Sequence, residues 1–259
     1  MEFRFFDKPG QWMPDGALAV LRKTLLRIAA TSLHPVPDYQ CLGSQQNSLD
    51  DKLIVVAYDG EGRAVAFTST FFLDIPSVPE PVLHSGLTVV EAAHRRGSLV
   101  MRMFAHLAAN VFPRCPKGVW VVCLAEVPSS LGHVTQYLED VFPSPEASRP
   151  SHSHVLIARE ISQSFRPELL ICPDAQFDEQ KFVFRGSNDW DAGACFKKDP
   201  NDRQYQHRDP EWNAFFRDLL RPGGGDEVLQ IGFCSEERAA TLVKLLSSHH
   251  HRSTTNPKL

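Results

Sequence analysis

Between Pro81 and Phe112 the hydrophobic repeat changes its period, and few chain arrangements accommodate that change. Leu83, Leu87 and Val89 alternate as one strand face requires, whereas Leu99, Met103 and Leu107, with Val100, Phe104 and Val111, recur at helical spacing. The switch falls across His94 to Ser98, a basic turn with one glycine. A turn that opens a helix leaves backbone amides unpaired and partially positive, which suits a phosphate, and Arg95 and Arg96 add full charges. Any strand–turn–helix unit shows this pattern, so by itself it names no ligand.

The flanking segments give that unit its setting. EFRFF reads as a short strand, Pro14-Asp15-Gly16 as a break, and Ala17 to about Ala30 as a helix burying Leu18, Leu21, Leu25, Ile28 and Ala29. Thr31 to Asp51 reads as loop. Two β-rich runs around Asp59-Gly60-Glu61-Gly62 form the clearest hairpin. After the helix of the opening unit, GVWVVCLAE reads as a strand buried on both faces. Pro128-Ser129-Ser130 opens a helix through roughly Val141, and HVLIARE reads as another strand. The order predicts an α/β fold with a mixed sheet. Beyond Ile161 the pattern loosens: KFVFRG and Asp226 to Phe233 read as strands, Ser187 to Asp209 as loop, and Glu211 to Leu220 and Ser235 to Leu246 as helices. The three glycines at 223–225 read as a turn, since a strand follows them. The expected division is a core over 1–162, an α+β C-terminal extension over 163–246 packed on it, and a disordered tail over 247–259 containing His249, His250 and His251.

Composition narrows the function classes. A chain of 259 residues with 42% hydrophobic side chains can fill a core, and a net charge of −4 makes no electrostatic case for nucleic acid. No apolar run approaches the roughly 20 residues of a membrane span. MEFRFFDKPG lacks the apolar centre of a secretory signal, so the expectation is a cytoplasmic protein with no membrane partner. Six scattered cysteines without a C-x-x-C pair predict neither zinc nor a disulfide framework, and no metal is expected. G-x-S-x-G, H-E-x-x-H and a Gly-Lys-Ser phosphate loop are all absent.

Two motifs complete the reading. Leu87-Thr88-Val89-Val90-Glu91 stands where a pattern like L-x-V-x-P would, and His94-Arg95-Arg96-Gly97-Ser98-Leu99 where a turn like [RQ]-x-x-G-x-[GA] would. Further on, Ser130, His133, Gln136, Tyr137, Val141 and Phe142 occupy the positions of Asn-x-x-Ala-x-x-Leu-Tyr-x-x-x-Gly-Phe, with Tyr137 and Phe142 matching. With the order of elements, residues 1 to 160 thus resemble the GCN5-related N-acetyltransferase (GNAT) superfamily, as a divergent member with a C-terminal extension.

The resemblance implies a GNAT-like mixed central sheet flanked by helices, with acetyl-CoA or another acyl-CoA as co-substrate and a small-molecule amine as acceptor. Its pyrophosphate would lie against His94, Arg95, Arg96, Gly97, Ser98 and Leu99. The backbone at Val89 and Val90 would address the acyl carbonyl and pantetheine. Tyr137 would be the general acid to the departing thiolate, and Glu126 or His84 the base. The turn keeps only Gly97 of the family's small residues, and Leu99 carries a side chain where phosphate usually comes close. Two other readings therefore stay open: an acid/base enzyme (decarboxylase, lyase or cyclase) that uses no CoA, and a non-catalytic ligand- or partner-binding protein.

Overall fold

A computed structural model describes the backbone over residues 1–95 and 98–248. The hairpin forms as its residues demand, with the Asp59 carboxylate accepting from the amides of Glu61 (3.0 Å) and Arg63 (2.9 Å) and Gly62 at φ 78°. It joins β2 (Leu53–Tyr58) to β3 (Ala64–Leu73). Antiparallel β1 (Glu2–Asp7) extends one edge and β4 (Val82–Val90) the other. From β4 the chain crosses through α2 (Leu99–Val111) to β5 (Val119–Ala125), which runs parallel to β4.

Later chain completes the sheet. β9 (Glu227–Cys234) lies antiparallel along all of β5, from Val119↔Cys234 to Ala125↔Val228. Its other edge is shared by β6 (Glu139–Phe142) and β8 (Val183–Arg185), and β8 carries β7 (Gln176–Asp178). The order is β1-β2-β3-β4-β5-β9-β8-β7 with β6 also on β9, so residues 163–246 are woven into the same sheet as the chain before them.

Helices cover both faces. On the first, α1 (Asp15–Ala29) packs Leu25 and Ile28 against Ile54, Val56 and Phe67, and α4 (His152–Ser164) packs Ile157 and Ile161 against Trp120, Val122 and Ile231. On the second, α2 packs Met103 and Val111 against Leu53, Val55 and Ala57. Beside it, α3 (Pro128–Tyr137) and α5 (Pro210–Leu219) bury Leu131 and Phe216 with Ala125 and Val228, and α6 (Glu236–Ser248) follows β9. Alternate residues of β2 therefore enter opposite cores, which accounts for a strand apolar at nearly every position. Each fully buried Leu or Ile contributes about 1.5–3 kcal/mol relative to exposure. Among the described residues no helix is long and apolar enough to cross a membrane. All six cysteines are buried and free.

Three local expectations are corrected. HVLIARE is not a strand but the start of α4: Ser151 caps it, with the Ser151 amide donating to His154 Nδ1 (2.9 Å) and the His154 amide to Ser151 Oγ (3.4 Å). Its buried stripe is His154, Ile157, Ala158 and Ile161, a helical spacing hidden inside an apolar run. The helix expected to reach Val141 ends at Tyr137, where Arg238 donates to the carbonyls of Tyr137 (2.8 Å) and Gln136 (2.7 Å), and the next residues pair with β9 as β6. Leu83, Leu87 and Val89 do not share a face: Leu83 enters the core under α2, and Leu87 and Val89 the core under α1. A bulge in β4 reverses the alternation between them.

Candidate active site

That bulge opens the site. From Ser85 to Thr88 β4 advances three residues while β3 advances two, Thr70 to Thr68. Pairing of β4 with β5 stops at His84↔Val122, its third register position. Gly86 is needed at the bulge, because a Cβ there would lie 2.4 Å from Gln40 Nε2 and 2.7 Å from the Ser69 carbonyl. Beyond it the two parallel strands separate, and a cavity lies on each face. The first-face cavity is about 570 Å³ and the second-face cavity about 390 Å³. Ser85, Gly86, Thr88, Leu124, Ala125 and Ser130 line both, so the two spaces adjoin at the gap.

Glu126 closes the first-face cavity at the end of β5 and is 4% exposed. One step past the Ala125↔Val228 pair, Glu227 lines the same cavity from β9. Glu126 accepts from Asn188 Nδ2 (3.2 Å) and from the backbone amides of Gly225 and Lys198; Glu227 accepts from Ser187 Oγ (2.6 Å) and from Asn188. Burial pushes the Glu126 carboxyl up to about 7 against the pull of those amides, and the neighbouring Glu227 charge adds to the rise. Burial raises Glu227 as well. A carboxyl raised to about 7 can take or give a proton near neutrality.

His84 lines the same cavity but differs in character. Burial lowers its imidazole to about 3, so the ring is neutral, with Nε2 3.0 Å from the Tyr39 hydroxyl. Burial also raises the Tyr39 hydroxyl. The two form a neutral hydrogen-bonding pair, a polar contact for a ligand and a weak proton acceptor.

Tyr137 lines the second-face cavity with Ser129, Ser130 and His133, and the His133 ring is stacked on it at 6.3 Å. The remainder of that cavity is an apolar slot between α2 and α3, with Phe104, Leu107, Val121 and Leu138 among its walls. Leu99 is 7% exposed and buried in the core under α2, so its side chain does not stand over the start of that helix. At the start of α2 the Arg102 amide donates to the Ser98 carbonyl (2.9 Å). His94 ends a short 3-10 turn ahead of Ser98. Arg96 and Gly97 lie outside the described residues.

Arg95 turns to the first face, where its Nε donates to the Val90 carbonyl (3.0 Å) and its Nη2 to Ser32 Oγ (2.6 Å). Because the Glu91 amide bonds to the Val65 carbonyl (3.0 Å), strand alternation directs the amide and carbonyl of Val90 toward the gap; Val89 side-chain atoms pack under α1. Among the described residues no group of three or more His, Cys, Asp or Glu is arranged to hold a metal ion.

Of the residues the sequence singled out, Glu126, His84, Val89 and Val90 line the first-face cavity and Tyr137 the adjoining one. The sequence reading missed Glu227, Asn188, Tyr39 and Gly225. Gly86 inside a strand was an available sign of the bulge. Glu227 offered none, because an acidic residue opening a strand is ordinary until that strand's neighbour is known.

No family model matches the chain, and no curated protein matches it. Solved structures resemble it over about half its length. An acetyltransferase from Vibrio fischeri is 12% identical over 47% of this chain and 94% of its own, with a TM-score of 0.33. An aminoglycoside 6'-acetyltransferase type Ii is 14% identical over 57% and 90%, with a TM-score of 0.36. A chain of a NatC complex bound to Gag peptide and CoA is 15% identical over 52% and 82%, with a TM-score of 0.34. The chain is thus similar, at low identity, to acetyltransferases, and its chemistry rests on the two adjoining cavities.

Proposed function

We propose that the chain is an acyl-CoA-dependent N-acyltransferase acting on a small amine, by direct attack of the amine on the thioester. The observation that carries this reading is the gap between β4 and β5, at which a cavity holding two buried carboxyls adjoins a cavity holding Tyr137. Direct transfer requires two reactants to meet from opposite sides with separate proton handling for each. The amine enters the first-face cavity and gives a proton to the Glu126–Glu227 pair as its nitrogen forms the new N–C bond. The acyl-CoA arm lies in the second-face slot, and Tyr137 protonates the sulfur as the C–S bond breaks. The Val90 amide, facing the gap, serves the developing oxyanion.

A small acceptor is supported by the walls. Leu169, Leu170, Phe196 and Tyr205, all from the chain after α4, enclose the first-face cavity, and about 570 Å³ is within the size range of small-molecule pockets. The pyrophosphate would fall to the start of α2, with His94, Ser98 and the backbone of Leu99 beside it. A cytoplasmic location belongs to the same proposal.

Coenzyme A titrated into the purified protein tests the reading: millimolar coenzyme A raises the thermal midpoint, and free thiol appears when acetyl-CoA and a competent amine are both present. Absence of any shift overturns it. The carboxyl pair is complete without a second-face ligand, and that favours a second reading, an acid/base enzyme working in the first-face cavity alone. Turnover unaffected by coenzyme A would select it.

A further inference from the structure

The first-face cavity is lined by both acidic and basic groups. Glu126 and Glu227 are the acidic ones, and Arg95 reaches the lining with Ser32 and Tyr205. Several guanidinium groups of this fold meet a carboxylate: Arg27 meets Glu91, Arg185 and Arg221 meet Asp226, and Arg114 meets Asp7. Arg95 meets none among the described residues. Its Nε and Nη2 are instead bonded to neutral oxygens, which sets the plane of the group, and Arg95 is part of the cavity lining.

We propose that the acceptor carries a carboxylate near its amine, that amino acids are therefore the acceptor class, and that Arg95 receives the carboxylate. This rests on the first-face cavity being the acceptor site. The physical argument is complementarity. A cationic amine is drawn to the carboxyl pair, but a plain monoamine leaves the guanidinium unanswered and a diamine brings a second cation toward it. An amino acid satisfies both groups, and a pre-oriented guanidinium loses little freedom in binding a planar carboxylate. Tyr39, Phe196 and Tyr205 add aromatic wall for an apolar side chain.

Matched pairs test the proposal: phenylalanine against phenethylamine, lysine against cadaverine, and phosphoethanolamine against ethanolamine. Binding is measured by calorimetry without an acyl donor, and transfer by thiol release from acetyl-CoA. The expected result is a preference of about tenfold or more for phenylalanine over phenethylamine and for lysine over cadaverine. Arg95→Met brings the members of a pair within about twofold, and Arg95→Lys retains part of the preference. Equal binding of the carboxylated and decarboxylated members by the wild-type protein overturns the proposal, as does a preference confined to phosphoethanolamine. The wild-type panel decides alone if Arg95→Met does not fold. Calorimetry separates the two readings: amino acids that bind while coenzyme A does not would uphold this inference and remove the acyltransferase assignment.

Discussion

Glu126 and Glu227 face one cavity from neighbouring antiparallel strands, one step beyond the Ala125↔Val228 pair, and the Asn188 side chain reaches both. Two ionised carboxylates so placed would repel with little water to screen them, and each is separately penalised by burial. The supporting contacts come from three stretches of chain: Ser187 and Asn188, the backbone of Lys198, and Gly225. Gly225 has φ 102°, and a Cβ there would sit 2.3 Å from Asp189 Oδ1. The glycine run that reads as a plain turn therefore also delivers an amide to Glu126.

The raised Glu126 carboxyl fixes the sign of a stability profile. The folded protein holds this proton more tightly than the unfolded chain, so the group's contribution is full below its ordinary 4.5 and is lost as pH rises through about 7. Thermal midpoints measured across that window are expected to flatten in Glu126→Gln. An unchanged slope would place the Glu126 pKa near its ordinary value.

Activity should follow the same group in the opposite sense, since a base must be ionised. Turnover rises with pH to an apparent midpoint near 7, and Glu126→Gln lowers kcat by about 10²–10⁴-fold. Glu227→Gln removes a neighbouring negative charge and is expected to move the midpoint of the acidic limb downward. A limb that stays in place would show that the two carboxyls titrate independently.

Tyr137→Phe removes the acid on the second face while leaving the aromatic ring against His133. A fall in kcat of about 10²-fold or more, with coenzyme A binding retained in the thermal-shift assay, is the expected split. Loss of binding without loss of kcat would make Tyr137 a packing residue.

Asp226 is fully buried, and accepts from Arg185 Nη1 (2.8 Å), Arg221 Nε (2.8 Å) and the Gly186 amide (2.9 Å). Burial opposes its charge, but hydrogen bonds from Arg221, Arg185 and Gly186 outweigh that and hold the carboxyl below its ordinary value. Asp226→Ala removes the acceptor those three donors share and is expected to destabilise the fold by about 1–3 kcal/mol in denaturant unfolding. Because Asp226 precedes Glu227 and secures the turn before Ser187 and Asn188, activity should fall even under conditions in which the variant remains folded.

Much of the architecture was legible because it is local. The hairpin at Asp59 to Gly62, the helices α1 and α2 and the strand β5 each carry their own period and turn chemistry within a few residues. HVLIARE misled because its four consecutive apolar residues satisfy a strand and a helix alike, and the deciding sign was the Pro150-Ser151 boundary before it. Glu126 and Tyr137 were recoverable since one ends β5 and the other lies on the helix that follows it.

By itself the sequence determined the alternation of strand and helix, the strand–turn–helix from Pro81 to Phe112, and the candidates Glu126, His84 and Tyr137. Only the tertiary structure decided that β9 would lie beside β5 and bring Glu227, Asn188 and Gly225 to Glu126. It also decided that Arg95 would turn to Val90 and Ser32, and that β4 would bulge at Gly86 and part from β5. The reason is physical: period, caps and turns are set by neighbours along the chain, whereas a buried carboxyl's proton affinity and a strand's lateral partner are set by groups that meet only when distant segments pack.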